Sequence, residues 1–597
     1  PLAYLLNDDE LKARVMPWIE WTLTHQAESG YFGPVPFEEE PEAEPGIQKT
    51  PRRDWWPKMV MLKVLQQYYS ATGDERVIDL MLNYFRYQLE ELPETPLDHW
   101  SFWANRRGGD NLVVVYWLYN ITGEQFLLDL AELLHEQTFP YTTVFLNEEC
   151  YEGPDVSHLY PYNTGNRYPF DMDLINRLCI RQLMSFHCVN IAQGIKEPVI
   201  YYQQHPDSVY LRAVKKALHD LRVFHGQPQG MYGGDEALHG RTPTQGIEFC
   251  SVVEFMFSLE NILSITGDME MADHLERIAY NALPTQARDD FSGRQYFQSA
   301  NQVEISRNRR NFYVGHYHGG TDLCYGVFTG YPCCTTNMHQ GWPKFTRHLW
   351  FATPDNGLAA LVYAPSRVTA LVGDNVRITL REETAYPFEN TIRFILETDQ
   401  SATFPLHLRV PGWCEAPEVR INGQERFGEQ SNQTLIIDRT WEDGDKVELI
   451  LPMEIRFSRW AENSVAVERG PLVYALKIRE AWKQVDSDDQ WGDYEEVYSR
   501  DPWNYGLLEA AIADPEAEFE VITRERISAP PWNLENAPVT LRAKGKRIPE
   551  WQLYNHMAGP LPHSRPQLHL TDVEPEEITL IPYGCTTLRI TEFPVVR

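Results

Sequence analysis

Cysteine is scarce, nine in 597 residues, and an odd, widely spaced set does not make a disulfide framework. Basic residues are also few: 53 Lys and Arg stand against 85 Asp and Glu, a net charge of -32. Such a field repels phosphate backbones and no basic cluster offsets it, so nucleic acid is not expected as a partner. No uninterrupted apolar run approaches the ~18 residues of a membrane span, so no membrane association is expected either. The opening residues, Pro1 to Asn7, carry neither a basic n-region nor a cleavage site, so no signal peptide is read and the compartment, periplasm or cytoplasm, stays open. What is present is a hydrophobic content of 43%, with 17 Trp and 31 Tyr. A chain of this length exceeds one core, which predicts two or three domains. Aromatic faces with polar rims suit sugar rings, although core packing accounts for any single Trp equally well.

The first ~280 residues carry apolar side chains at helical spacing over Leu11 to His25, Lys58 to Ala71, Glu75 to Leu92, Asn111 to Ile121, Gln125 to Gln137 and Ser251 to Ile265. One punctuation mark recurs between them. Ala71-Thr72-Gly73-Asp74, Ile121-Thr122-Gly123-Glu124 and Ile265-Thr266-Gly267-Asp268 each end one helix and open the next. The Gly supplies a left-handed C-cap and the acid sits at a helix N-terminus. Spacing near multiples of 50 residues predicts stacked helical hairpins, closed as an α/α toroid or left open as a solenoid. Long loops rich in Gly, Pro and aromatics interrupt the helices at Gly30 to Trp56, Tyr141 to Pro169, Gly226 to Gly246 and Asp289 to Pro343, and loops of that length are usually functional. From about Leu349 the pattern turns to short alternating strands at Leu361 to Tyr363, Val376 to Leu380, Thr391 to Leu396, Leu406 to Val410, Leu435 to Asp438 and Val447 to Leu451. Asn422-Gly423 and Asp443-Gly444 read as the turns between them. The expected fold is α+β and multidomain: an N-terminal (α/α)6 toroid over 1–348, a β-sandwich over 349–460 and a second β-sandwich module over 461–597.

Chemistry concentrates in the helical half, in three groups: Gly233-Gly234-Asp235-Glu236-Ala237-Leu238-His239-Gly240, Gly246-Ile247-Glu248-Phe249-Cys250, and Gly330-Tyr331-Pro332-Cys333-Cys334-Thr335-Thr336-Asn337. Glu248, Cys250, Cys333 and Cys334 together would complete a four-coordinate zinc site of one carboxylate and three thiolates. Neither Glu-x-Cys nor adjacent cysteines is a standard finger spacing. Ordinary buried thiols remain the other reading of the same residues.

These motifs, with Leu408-Arg409-Val410-Pro411-Gly412-Trp413, Ile421-Asn422-Gly423, Arg439-Thr440-Trp441 and Arg469-Gly470-Pro471-Leu472-Val473-Tyr474 in the β half, occur in an order that resembles glycoside hydrolase family 127, the β-L-arabinofuranosidase family, in a divergent branch. The resemblance implies an exo-acting, retaining double displacement with Cys333 as nucleophile and Zn²⁺ held by Glu248, Cys250, Cys333 and Cys334. It implies Glu236 as general acid/base, with Asp235 as its competitor. Zinc ligation would hold a thiol of ordinary pKa ~8.5 as thiolate at neutral pH. The implied partner is an oligosaccharide or polysaccharide of plant or algal origin, from which one unusual terminal monosaccharide is released. A β-L-arabinofuranoside leads, and an acidic deoxy sugar or 3,6-anhydro-galactose is the alternative.

His187, which resembles a sugar-contacting histidine of the family, joins Trp55, Trp56, His158, Tyr331 and Asp235 as a pocket candidate; a hydrogen-bonded core His is the plainer reading of His187. Arg106 and Asp110 are read either as pocket residues or as an ion pair capping the next helix. His316 and His318 are loop histidines without a role. Two rivals stand beside the retaining hydrolase: a metal-free α/α-toroid glycosidase or lyase, and a carbohydrate-binding protein with a structural zinc, since a site closed by four protein ligands is usually structural. A homodimer stays open.

Overall fold

The computed structural model describes residues 1–34, 53–146, 187–238, 240–310, 312, 318–426, 429–431, 433–564, 570 and 572–597. The chain divides into two compact units: Pro1–Phe224 with Ala237–His239, and His225–Glu236 with Gly240–Arg597.

The first unit is helical. Its longer helices are α1 (Asp9–Thr24), α2 (Trp55–Thr72), α3 (Arg76–Glu91), α4 (Gly108–Thr122), α5 (Phe126–Gln137) and α6 (Ser208–Asp220). Several of the apolar stripes read in the sequence are buried here: Met59, Leu62 and Leu65 on α2, Val77, Leu80, Met81, Tyr84 and Phe85 on α3, and Leu127, Leu130 and Leu134 on α5. On α1 only Ile19 and Thr22 are buried, and Val15, Trp18 and Trp21 are exposed. The repeated Thr-Gly-Asp/Glu mark does what its residues predict. Gly73 and Gly123 take φ of 69° and return their N–H groups to the carbonyls of Tyr69 and Tyr119. The preceding Thr72 and Thr122 hydroxyls accept from the N–H groups of Asp74 and Glu124.

One charge cluster braces this unit. Asp110, on the first turn of α4, is buried with Lys63 Nζ at 2.6 Å and Lys196 Nζ at 2.7 Å. Burial opposes the carboxylate charge, and the two ammonium groups outweigh it and hold the pKa below the usual range. The sequence offered Arg106 as the partner of Asp110; Lys63 from α2 and Lys196 from the turn before the helix Glu197–Tyr202 reach its carboxylate. Arg106 instead lies over the Phe139 ring, 4.2 Å from its centroid.

The second unit opens with a small sheet and the helix α7 (Phe249–Thr266), followed by α8 (Met269–Arg277). Helix α7 is long and apolar enough to cross a membrane, yet most of it is buried inside the protein. Strands follow. Trp350–Ala352, Leu358–Ala360, Ala402–Arg409, Thr434–Trp441 and Glu429–Ser431 form one sheet, and Ser366–Val372, Val376–Thr384, Thr391–Thr398, Lys446–Ile450, Glu418–Ile421 and Gln424–Arg426 form another. Burial alternates along both, as at Val376, Ile378 and Leu380, and Trp350 of the first meets Phe394 of the second edge to face at 5.7 Å. This is the expected sandwich. Asn422 and Gly423 both have positive φ, the geometry of a two-residue hairpin turn. The strand expected at Leu361 to Tyr363 lies earlier, at Leu358–Ala360. The Tyr363 backbone leaves the ladder because its N–H donates to the buried Glu276 carboxylate at 3.0 Å.

A third, eight-stranded sheet begins at Ile455–Arg459 and ends at Val595–Val596. Beside it, Tyr494–Ser499 pairs with both Glu304–Ile305 and Tyr325–Gly326, two short strands inside the stretch read as a loop from Asp289 to Pro343. The loop is ordered by a strand far along the chain. That pairing carries no local sequence signal.

Replacing Asp110 with Ala leaves two buried ammonium groups without their carboxylate. The expected loss is about 3–5 kcal/mol, read as a lower unfolding midpoint in thermal or denaturant melts; an unchanged midpoint would contradict the bracing role.

Candidate metal centre

Three short strands of the second unit gather the polar groups. β1 (Gly234–Asp235) pairs in parallel with β2 (Ile247–Glu248), and β2 pairs antiparallel with β3 (Phe297–Gln298). Parallel pairing puts Glu236, just past β1, at the same end as Glu248 and Cys250. Antiparallel pairing brings Tyr296, just before β3, to that end too. Glu248 is the N-cap of α7 and Cys250 stands in its first turn, where the helix dipole favours negative charge. Cys333 and Cys334 open the short helix α9 (Cys333–Met338).

One ligand atom each from Glu248, Cys250, Cys333 and Cys334 lies within 4.8 Å of all the others. Cys250 Sγ and Cys334 Sγ are 3.4 Å apart, and Cys333 Sγ is 3.6 Å from Glu248 Oε1. The Asn337 amide donates to Cys250 Sγ at 3.0 Å. Glu248, Cys250 and Cys334 are buried, and Cys333 is half-buried. Burial pushes the thiols of Cys250 and Cys334 up, while hydrogen bonds from those two thiols hold Cys333 well below the ordinary range. Protein atoms alone thus favour the anionic form at Cys333 and disfavour it at Cys250 and Cys334. Three thiolates and a carboxylate coexist in this volume only around a cation, and the donor set suits a soft divalent ion. The residues fit a metal.

Glu236 follows β1 with φ of +82° and is half-buried, and its Oε1 accepts a 2.5 Å hydrogen bond from the Tyr296 hydroxyl. Tyr296 is buried, and burial together with the charges of Glu236, Glu248 and Cys333 pushes its pKa well up, so it is a donor at neutral pH. Asp235, one residue earlier, is fully buried. His318 lies edge-on to the Tyr296 ring at 4.9 Å and hydrogen-bonds Asp322 at 2.6 Å. Burial works against its charge, but the bond and charge of Asp322, with Glu236 and Cys333, raise its pKa.

The remaining sequence candidates are placed as follows. Trp55 is buried at the start of α2, where its indole N–H donates to the Thr95 carbonyl, a core position in the helical unit. Trp56 is half-buried, with the Arg107 guanidinium 4.5 Å from its ring centroid. His187 is buried as the N-cap of the helix Cys188–Gly194, its Nδ1 facing the Asn190 N–H at 3.4 Å. These three belong to the first unit. Tyr331, 57% exposed, belongs to the second. His158 and His316 lie outside the described residues. Sequence reasoning missed Tyr296 and Arg294, both in the stretch flagged as a long loop. Asn337 was visible as the end of the Cys-Cys-x-x-Asn element.

Residues 2–347 match the family described as β-L-arabinofuranosidase, GH127 catalytic domain, and residues 357–453 match its GH127 middle domain. The chain belongs to glycoside hydrolase family 127. A crystal structure of a GH127 β-L-arabinofuranosidase from Geobacillus stearothermophilus T6 is similar over 99% of this chain and 88% of that one, at 20% identity and a TM-score of 0.67. A GH127 β-arabinofuranosidase is similar over 98% and 85%, at 17% identity and a TM-score of 0.65. These likenesses establish a shared fold, a helical catalytic domain followed by a β middle domain. No match is found among curated proteins. Family 127 proteins are glycoside hydrolases, so the group around Glu248 and Cys333 sits in a hydrolase fold.

Gly330 gives this site a stability test. It has φ of +61°, and a Cβ there would fall 2.2 Å from Cβ of Tyr296. Gly267, the C-cap of α7, has φ of +64° with nothing within 4 Å. Gly267→Ala is expected to cost about 1–2 kcal/mol from φ alone, and Gly330→Ala about 1–3 kcal/mol more from overpacking. Equal midpoints for the two variants in thermal melts would contradict the close approach.

Proposed function

We propose that this family 127 chain is an exo-acting, retaining glycoside hydrolase with Cys333 as nucleophile and Glu236 as general acid/base. Glu248, Cys250, Cys333 and Cys334 would hold Zn²⁺. The observation that carries the reading is the meeting of three thiols and a carboxylate within 4.8 Å, of which Cys333 alone is half-exposed. A bound zinc ion would keep all three sulfurs deprotonated and offset their charge.

The residues divide the work. The Cys333 thiolate attacks the anomeric carbon, a C–S bond forms, and the glycosidic C–O bond breaks. The Glu236 carboxyl gives its proton to the departing oxygen. Glu236, now a carboxylate, then takes a proton from water, whose oxygen attacks the same carbon. The C–S bond breaks and Cys333 returns as thiolate, so two inversions give net retention. Tyr296, donating to Glu236 Oε1, fixes which carboxylate oxygen stays turned to the protein. The half-exposed Glu236 suits proton exchange with substrate better than the enclosed Asp235, which supports Glu236 of the two. The substrate proposed first is a terminal β-L-arabinofuranoside of a plant or algal glycan, with an acidic deoxy sugar or 3,6-anhydro-galactose second. Cleavage of this kind would use the 1–348 segment as the catalytic domain, with 349–460 and 461–597 as its β modules.

Kinetics of two variants test the roles. Cys333→Ala is expected to fold and lose turnover. Glu236→Gln is expected to lose about 10²–10⁴-fold on glycosides with poor leaving groups, while aryl glycosides with good leaving groups still complete the first step. Native-like turnover by Cys333→Ala would leave the metal a structural role and end the nucleophile assignment.

A further inference from the structure

The loop that delivers Cys333 is folded around one buried side chain. Arg294 is 0% exposed. Its Nε donates to Thr335 Oγ1 at 3.1 Å, and its Nη1 donates to the Thr329 carbonyl at 2.5 Å and to Thr329 Oγ1 at 3.4 Å. Its Nη2 donates to the carbonyls of Val327 at 3.2 Å and Tyr331 at 2.9 Å. All five guanidinium donors are thus spent on a single segment, residues 327–335, and none of these acceptors is a carboxylate. That segment carries Pro332, Cys333 and Cys334 in its middle. The far end of the clamp is fixed as well, because Arg294 N donates to the Gly326 carbonyl and Gly326 N to the Arg294 carbonyl.

Such a cage of carbonyls needs a planar fork of donors, which lysine lacks. It also buries a positive charge beside the cysteine pair. Three thiolates and a carboxylate around one divalent ion carry two net negative charges, and a fixed cation in a region of low dielectric offsets them. The guanidinium donates to the loop rather than to the sulfurs, so it would act through the loop and through its field.

We propose that Arg294 is the positioning residue for the cysteine pair, setting the place of the Cys333 sulfur and supporting metal retention at the four-donor group. The inference rests on the nucleophile reading above for its kinetic part and on the donor set alone for its metal part. Arg294→Lys keeps the charge and loses the fork, and Arg294→Met loses both. For Arg294→Lys, zinc content is expected to stay at about one per chain, with kcat per bound zinc about 100-fold lower and KM within about threefold, since a misplaced reacting atom costs rate rather than binding. For Arg294→Met, zinc affinity measured by competition with a chromophoric chelator is expected to fall about 10–100-fold. Thr335→Val removes a single acceptor and should move kcat in the same direction by a smaller factor, which keeps the test readable where Arg294 variants fold poorly. Native kcat per zinc in Arg294→Lys, or unchanged zinc affinity in Arg294→Met, would reduce Arg294 to a loop staple and overturn the proposal. Turnover by Cys333→Ala would instead sink the nucleophile reading and leave the zinc-affinity result standing.

Discussion

Four groups that each prefer to be anionic near a metal are crowded into one small volume, and the surrounding structure is arranged to keep them there. Burial pushes the thiols of Cys250 and Cys334 up, while the hydrogen bonds they give hold Cys333 down. The fold has already met the cost of bringing them together, through the N-terminus of a buried 18-residue helix on one side and a clamped loop on the other. That asymmetry matters for chemistry. Glu248 and Cys250 are anchored by a rigid element, whereas Cys333 stands half-exposed at the start of a six-residue helix.

Short strands do the positioning. The parallel pairing of β1 with β2 and the antiparallel pairing of β2 with β3 bring three chain segments to one end of a sheet only two residues deep. Each of those segments ends in a side chain of the candidate site: Glu236, Glu248 with Cys250, and Tyr296. Replacing a strand residue here would shift Glu236 and Glu248 together, because the ladder couples them. The β modules also reach into this region, since Tyr494–Ser499 pairs with strands on either side of His318. They hold Glu304–Ile305 and Tyr325–Gly326 in a sheet as well as packing beside them.

Much of this was legible in the sequence, for identifiable reasons. Helical periodicity and the Thr-Gly-Asp/Glu caps are local signals, and they located α2 through α5 and the ends of α7 to within a few residues. Glu248, Cys250, Cys333 and Cys334 stood out because adjacent cysteines are rare. The remainder depended on distant partners. Asp110 looked like a helix cap or a partner of Arg106, and Lys63 and Lys196 reach it from distant parts of the chain. Arg294 and Tyr296 are common residue types in an irregular stretch, and only the fold shows that one holds five acceptors and the other holds Glu236. Trp55 looked suited to a sugar because of its chemistry, and its burial against the Thr95 carbonyl makes it core. Side-chain type predicted exposure poorly here.

The central claim is that the sulfurs of Cys250, Cys333 and Cys334 and the carboxylate of Glu248 hold one zinc ion. X-ray absorption at the zinc edge, on chain purified and washed with chelator, measures that directly. The account predicts about one zinc per chain, with a first shell of three sulfurs at ~2.3 Å and one oxygen at ~2.0–2.2 Å. A metal-free chain, or a first shell of nitrogen and oxygen only, would contradict it.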